Sequence, residues 1–445
     1  MGNLFGTDGV RGVANRELTA QLAYELGRAG AHILCKGNNR PHIVVGKDTR
    51  ISGDMLESAL IAGICSMGVD VIRLGIIPTP GVAFLTRFMD ADAGIMISAS
   101  HNPIEDNGIK FFDSSGYKLE EAQERAVERI VREGIPHDFT LPVGGEVGKI
   151  SMGDRAAEHY VDHILGVMDY DLSGLRVVVD CACGAAYEMA PRILRGLGAE
   201  VISINDEPDG SKINVNCGST NVEELCQRVV DHGAHMGIAY DGDADRLIAV
   251  DEKGGVVDGD AIMLISALHM SQNKSLKNNM VVATVMSNLG LELALKKAGI
   301  KMFRTPVGDK YVLRKMLEED ASLGGEQSGH IILSDYGTTG DGIVVSCLLL
   351  KILKDSGEPL SLLAGQMKRL PQVMINVRVE DKKRAEECGD LAKALEEAGK
   401  ELGSSGRILV RPSGTEPLIR VMVEGQNDES CREIAERLAS VVEKY

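Results

Sequence analysis

Arg176-Val177-Val178-Val179-Asp180, a helix-period stretch through Ala190–Leu197, and Gly198-Ala199-Glu200-Val201-Ile202-Ser203 read together as one β-α-β unit. The apolar, β-branched runs have the composition of strands, and the glycine stands where a helix ends on a C′ residue. The same grammar occurs twice more. His42-Ile43-Val44-Val45-Gly46 leads through a helix at Leu56–Cys65 to Gly68-Val69-Asp70-Val71-Ile72-Arg73. Met280-Val281-Val282-Ala283 leads through Leu289–Ala298 to Gly299-Ile300-Lys301-Met302-Phe303-Arg304. A right-handed crossover makes the paired strands parallel, with helices covering the faces. Units this far apart predict three related α/β domains rather than one long sheet.

After Pro371 the texture changes. Val373–Val379 and Ile419–Val423 alternate with period two, as half-buried antiparallel strands do. Helical stretches are expected at Lys382–Lys400 and Ser430–Lys444, the latter with Ile434, Leu438 and Val441 on one face. The expected fold class is therefore α/β: three related domains with mixed sheets over 1–150, 151–255 and 256–370, plus a smaller C-terminal α+β domain over 371–445.

Composition narrows the function classes. The 445 residues carry 48 Lys+Arg against 65 Asp+Glu, a net charge of −17, which argues against nucleic acid or a polybasic membrane contact. Aromatics are only 4% and tryptophan is absent, so stacking platforms for bases are not expected. Nine scattered cysteines without a repeated C-x-x-C read as reduced thiols rather than a disulfide framework. No run approaches the length of a membrane span, and Met1–Asp8 has neither a basic nor an apolar leader region, so a cytoplasmic location is expected. The 51 glycines point to many tight turns and to backbone that approaches ligands closely.

Four polar loops interrupt the apolar runs. Ile97-Ser98-Ala99-Ser100-His101-Asn102-Pro103 places a serine on a constrained turn, although neighbouring Ser and His side chains seldom face each other. Tyr240-Asp241-Gly242-Asp243-Ala244-Asp245-Arg246 sets three carboxylates at alternate positions, where they would repel unless a cation resolved them. Hard oxygen donors favour Mg²⁺ or Ca²⁺. An EF-hand does not fit, because Arg246 occupies the position that needs glycine and the flanking runs are strand-like. Gly324-Gly325-Glu326-Gln327-Ser328-Gly329-His330 suits recognition of neutral hydroxyls, with His330 a proton carrier near neutral pH. Arg411-Pro412-Ser413-Gly414-Thr415-Glu416-Pro417, followed by Arg420, offers guanidinium groups, hydroxyls and backbone amides to a phosphate held as a handle. Taken singly, each loop also reads as a polar surface turn.

In this order, S-A-S-H-N-P, D-G-D-A-D-R, G-E-Q-S-G-H and R-P-S-G-T-E-P resemble the motifs of the α-D-phosphohexomutase superfamily. The resemblance runs from Phe5-Gly6-Thr7-Asp8-Gly9-Val10-Arg11-Gly12 to the C-terminal domain, and the Ser-Ala-Ser-His-Asn-Pro form with Gln327 leans toward its amino-sugar branch. It implies four domains around a central cleft. It also implies an isomerase that interconverts glucosamine 6-phosphate and glucosamine 1-phosphate and supplies UDP-N-acetylglucosamine synthesis. A glucosamine 1,6-bisphosphate would be the intermediate. The alternative within the superfamily is a phosphomannomutase/phosphoglucomutase; outside it stand a Mg²⁺-dependent phosphatase and a non-catalytic sugar-phosphate sensor.

By the same resemblance, Ser100 carries the phosphoryl group, and Asp241, Asp243 and Asp245 bind Mg²⁺ together with an oxygen on Ser100. Arg11, Lys110 and Arg246 lie near that group, and His330 is a candidate general acid/base. Glu326 and Ser328 grip sugar hydroxyls, and the loop Thr305-Pro306-Val307-Gly308-Asp309, with Thr305 and Gly308, orients the sugar. Arg411, Ser413, Gly414, Thr415 and Arg420 hold the phosphate that is not being transferred. The partner is a small sugar phosphate, and the family suggests a homodimer. The acidic surplus is then expected on solvated helices such as Glu120–Glu133 and Glu380–Glu401, with the basic residues gathered at the cleft.

Overall fold

The apolar runs that open the three repeats become central strands of three sheets. In the first, β1 (Val10–Val13), β2 (His42–Lys47), β3 (Asp70–Ile76), β4 (Ala93–Ile97), β5 (Asp106–Asp113) and β6 (Ile150–Met152) lie in the order β1-β5-β4-β2-β3-β6. In the second, β7 (Arg176–Asp180), β8 (Glu200–Ile204), β9 (Met236–Tyr240), β10 (Leu247–Asp251) and β11 (Val256–Val257) take the order β11-β10-β9-β7-β8. In the third, β12 (Met280–Thr284), β13 (Lys301–Thr305), β14 (Leu323–Gly325) and β15 (Ile331–Leu333) take the order β13-β12-β14-β15.

The repetition is topological as well as sequential. Each opening strand has the next strand on one side and the third on the other, all parallel. A fourth strand then returns antiparallel beside the third. That reversal of strand order opens a crevice beyond the carboxyl ends of the first and third strands, where open α/β sheets bind ligands. The connections from third to fourth strand start at that crevice, and they carry Ser100, Asp241–Asp245 and Glu326–His330 respectively. Gly198 and Gly299 follow their helix C-caps at φ +96° and +75°, the left-handed geometry expected of a C′ glycine, and Gly68 takes φ +80° one residue further beyond its helix.

The computed structural model describes residues 4–35, 40–381, 384, 388–403, 406–412 and 418–444. Their contacts separate two compact units. One takes the chain up to Met286 together with Ile300–Gly365 and holds all three sheets. Its first repeat buries Ile43, Val45, Leu56, Leu60, Val71, Ile95 and Phe111 in one cluster. In the helix Glu121–Glu133 the other acids are exposed or half-buried, as expected of a solvated helix, and one departs from that expectation. Glu128 is buried, and its Oε1 accepts the Leu4 and Phe5 amides at 2.5 and 2.9 Å, tying those two residues to the helix.

The other unit takes Ser287–Gly299 with the chain from Gln366 onward. Here β16 (Gln372–Arg378), β17 (Arg407–Pro412) and β18 (Leu418–Glu424) form an antiparallel sheet in the order β16-β18-β17. The helix Asp428–Val442 turns Cys431, Ile434, Ala435 and Leu438 into a core shared with Val373, Val377, Ile419 and Val421. Strand β17 is not anticipated by alternation, because its apolar stretch Ile408–Val410 is short and ends on Arg411-Pro412. The helix expected over Lys382–Lys400 instead begins at Gly389, where Cys388 is extended and caps the Leu391 amide through its sulfur. Residues 382–383 and 385–387 lie outside the described residues.

Buried Asn288 ties the segment Ser287–Gly299 into this unit. Its side chain both donates to and accepts from the Leu370 backbone, each at 3.0 Å. Among the described residues no helix is long and apolar enough to cross a membrane, and the nine cysteines are all free.

Candidate active site

Ser100 sits in the left-handed region at φ +55°, an unusual conformation for a residue with a side chain. It is 1% exposed, and its hydroxyl donates to Asp241 Oδ2 across 141 residues of chain. Its Oγ also lies 3.4 Å from His101 Nδ1. The left-handed turn thus brings together two adjacent side chains that were expected to diverge.

The second hairpin supplies three buried carboxylates, Asp241, Asp243 and Asp245, with one oxygen from each within 4.8 Å of the others. The first repeat supplies what steadies them. Asp243 Oδ2 accepts the Thr79 hydroxyl at 2.5 Å and the Lys110 ammonium at 2.8 Å, and Lys110 also reaches Asp245 Oδ2 at 3.2 Å and Asp8 Oδ2 at 2.9 Å. Burial works against the Lys110 charge, but Asp243, Asp8 and Asp245 hold its pKa well above the ordinary lysine value. Burial, then the charges of Asp245 and Asp243, push the Asp241 carboxyl well above its usual range. Asp245 moves the other way: burial opposes its ionisation, yet Lys110 and His330 keep it well below the usual range.

This donor set fits a divalent cation. Asp243 Oδ1 is buried without a hydrogen-bond partner, the donors are hard oxygens, and one ammonium is shared among several carboxylates. A bound dication would offset the carboxylate repulsion that adds to burial in raising Asp241.

The third hairpin brings His330 between Asp245 and Asp309. Nδ1 lies 3.5 Å from Asp245 Oδ1 and Nε2 lies 3.7 Å from Asp309 Oδ2. In the neutral ring, Nε2 accepts the Gly340 amide at 3.3 Å; a Cβ at Gly340 would stand 2.6 Å from the imidazole. Burial disfavours a charged ring, but Asp245 and Asp309 outweigh it and raise the His330 pKa above the ordinary value. At His101 the balance goes the other way: burial, Arg246 and Arg11 outweigh Asp245 and Asp243 and lower it to about 4.

Cations surround the serine loop. Arg11 donates to Ala99 O at 3.3 Å, to Asn102 Oδ1 at 3.2 Å and to the Asp8 carboxylate. Arg246 Nε lies 3.9 Å from Asp241 Oδ2 and 3.8 Å from Asp245 Oδ1. These groups border a cavity of about 370 Å³ lined by Asp8, Arg11, His101, Asp245, Arg246, Val307, Gly308, Asp309, Glu326 and His330.

Glu326 Oε1 accepts the Gly308 amide at 3.1 Å, where Gly308 holds φ +129°, and Ser328 Oγ lies 3.5 Å from Glu326 Oε2. Thr305 and Ser328 do not line the cavity: Thr305 is buried at the end of β13, with its hydroxyl donating to Pro306 O at 3.0 Å. In the other unit, Arg411 on β17 lies directly opposite Arg420 on β18, so two guanidinium groups share one place on the sheet. Burial and the Arg420 charge lower the Arg411 pKa. Ser413, Gly414 and Thr415 lie outside the described residues.

Sequence reasoning missed the charges that couple these loops. Lys118 Nζ lies 2.5 Å from Asp8 Oδ1 and also pairs with Asp309. Asp8 and Asp309 both stand in quoted motifs without a role, and Lys118 follows Lys110 by eight residues just beyond β5. Their proximity to recognised site residues was the available signal.

Models of the phosphoglucomutase/phosphomannomutase family match four successive parts of the chain. Alpha/beta/alpha domains I, II and III match residues 2–137, 158–255 and 258–370, and the C-terminal domain matches 374–441. A relative from Heliobacterium modesticaldum (strain ATCC 51547 / Ice1) named phosphoglucosamine mutase is 56% identical over 100% of both chains. The crystal structure of a phosphoglucomutase/phosphomannomutase family protein from Burkholderia thailandensis superposes with TM-score 0.83 at 26% identity, covering 99% of this chain and 97% of that one. Aspergillus fumigatus N-acetylphosphoglucosamine mutase, solved in complex with GlcNAc-6P and magnesium, shares the fold at TM-score 0.70 and 18% identity, covering 99% and 95%.

Proposed function

We infer the reaction from family membership: the chain belongs to the phosphoglucomutase/phosphomannomutase family of the α-D-phosphohexomutase superfamily, and it is an isomerase that interconverts glucosamine 6-phosphate and glucosamine 1-phosphate. The observation that carries the chemistry is the Ser100 hydroxyl, delivered by one repeat onto the aspartate loop of the next. Identity of 56% over full length to a relative named for the amino sugar favours glucosamine over mannose or glucose.

In this reading phospho-Ser100 passes its phosphoryl group to O1 of glucosamine 6-phosphate, whose hydroxyl proton leaves as the P–O1 bond forms. The 1,6-bisphosphate turns over, and the O6 phosphoryl group returns to Ser100 while O6 regains a proton. Arg11, Lys110 and Arg246 spread the charge that develops on the transferring oxygens. Asp245 and Asp309 hold His330 beside the cavity, where its ring moves the hydroxyl proton. Glu326 takes hydrogen bonds from sugar hydroxyls while Gly308 fixes its carboxylate, and Arg411 and Arg420 hold the other phosphate with the help of Ser413, Gly414 and Thr415. Asp241, Asp243, Asp245 and a Ser100 oxygen would hold Mg²⁺, which supplies Lewis-acid withdrawal of phosphoryl charge when bound. The cytoplasm and a homodimeric assembly are the expected setting.

Intact mass before and after phosphatase, with mutase assays on wild type and Ser100→Ala, tests this directly. One labile phosphate should appear on wild type alone, and the variant should lose at least ~10³-fold in turnover, the scale for removing a nucleophile. Full turnover by Ser100→Ala would overturn the mechanism. A faster rate on mannose or glucose phosphate would overturn the sugar assignment.

A further inference from the structure

We propose that Arg50 is a positioning residue for phosphoryl transfer: from behind the Ser100 loop, with Asp48 and Ser98, it fixes both backbone groups of Ser100 and so aims its hydroxyl. The proposal rests on the reading of Ser100 as the phosphoryl carrier.

Arg50 stands between the end of β2 and the helix Ser52–Cys65, and its side chain is 0% exposed. Because β2 runs parallel to β4 with Lys47 opposite Ile97, the segments that follow the two strands emerge side by side. The guanidinium group has five N–H donors, and each finds an acceptor. Nε donates to Asp48 Oδ2 at 3.0 Å, and Nη2 donates to Ser100 O at 3.0 Å and Asn102 O at 2.7 Å. Nη1 donates to Asp106 O at 3.0 Å and to Pro103 O. Four of the five bonds therefore end on carbonyls of one loop.

Asp48 completes the frame. Its Oδ2 accepts the Ser98 hydroxyl at 2.7 Å, and Ser98 Oγ in turn accepts the Ser100 amide at 2.9 Å. The amide of Ser100 is thus held through Ser98 and Asp48, and its carbonyl is held by Arg50 directly. Asn214 adds a bond to the same carbonyl at 2.9 Å. A serine in the left-handed region persists only where its surroundings over-determine it, and these bonds supply that constraint. A lysine would keep the charge beside Asp48 but has three donors and no planar fork. Arg50 touches no reacting atom, so its effect is on geometry.

The test compares Arg50→Lys, Ser98→Ala and Ser98→Thr with wild type, reading kcat, KM and hydrogen–deuterium exchange of the 98–106 peptide. Arg50→Lys should lower kcat by about 100-fold with KM changed less than about threefold, the penalty for misplacing a reacting group by about an ångström. Ser98→Ala should cost about tenfold in kcat, the scale of one lost buried hydrogen bond, and Ser98→Thr should recover most of it. Both slow variants should exchange the loop amides faster.

Arg50→Lys turning over within threefold of wild type, or Ser98→Thr as slow as Ser98→Ala, would overturn the proposal. If Arg50→Lys does not fold, the Ser98 pair decides. A wild-type protein without Ser100 phosphate or mutase turnover would refute the carrier reading instead. Exchange would then still judge the frame, and wild-type protection in Ser98→Ala would refute it.

Discussion

The hairpins β4–β5 and β9–β10 occupy the same place in their repeats but draw their main support from different sides. The serine loop is steadied chiefly from within its own repeat, by Arg50 donating to its carbonyls, with Asn214 of the second repeat adding one bond to Ser100 O. The aspartate loop is steadied from outside, because Thr79 and Lys110 both belong to the first repeat. The contrast follows from charge. Carbonyls can be gathered around one local guanidinium, whereas three buried carboxylates need cations that their own apolar strands do not carry. One repeat supplies its own guanidinium to its loop, and the other borrows an ammonium from its neighbour.

Lys110→Met strikes that dependence hardest. It leaves Asp8, Asp243 and Asp245 without the ammonium, and thermal or urea unfolding should show a loss of about 3–5 kcal/mol, the cost of stranding buried charge. Unchanged stability would mean that the aspartate loop does not rely on the first repeat. Asp243→Asn, which keeps the shape of the loop, should lower kcat by about 10²–10³-fold and raise the Mg²⁺ concentration needed to restore activity after EDTA. Equal Mg²⁺ titrations for variant and wild type would remove Asp243 from the cation site.

The third hairpin extends the contrast, since His330 is held by carboxylates from two sides. His330→Asn should cost about 10²-fold in kcat, the usual contribution of general acid/base catalysis, and an unaffected rate would assign proton movement elsewhere.

The smallest effect concerns Asp341, next to the Gly340 that touches His330. Its carboxylate accepts the Tyr160 hydroxyl at 2.8 Å and caps the helix Gly342–Ser356, and burial raises its pKa to about 6. The unfolded chain releases this proton near pH 4 and the folded chain holds it until about 6, so stability should fall as pH rises through that window. Wild type should lose on the order of 2 kcal/mol relative to Asp341→Asn between pH 4 and 7, read from urea midpoints. Parallel pH curves would refute it.

What was legible in the chain was local. The repeats show because a β-branched run, an amphipathic stretch and a C′ glycine are neighbours in sequence, and the four loops show because glycine and acidic or hydroxyl residues cluster within a few positions. Pairing over distance was not legible. Lys118 meets Asp309 from 191 residues away, and periodicity cannot report such a meeting. Nor could it separate Ser98, which braces the loop, from Ser100, whose hydroxyl meets the aspartates. Strand β17 was missed because only its partner β18 makes a short basic-edged run extended. The inward turn of Glu128 on an otherwise solvated helix was not legible either, because composition does not say which acid of a helix turns inward.

Lys110 standing in the first repeat and its acidic partners in the second has a consequence for biosynthesis. Chains leave the ribosome amino end first, and their domains fold in that order. The ammonium is therefore already anchored on β5 when the Asp241–Asp245 segment emerges 131 residues later, and the carboxylates close onto a counterion that is waiting for them. Swapping the order of the two repeats by circular permutation would expose the acidic hairpin first, with nothing to receive it.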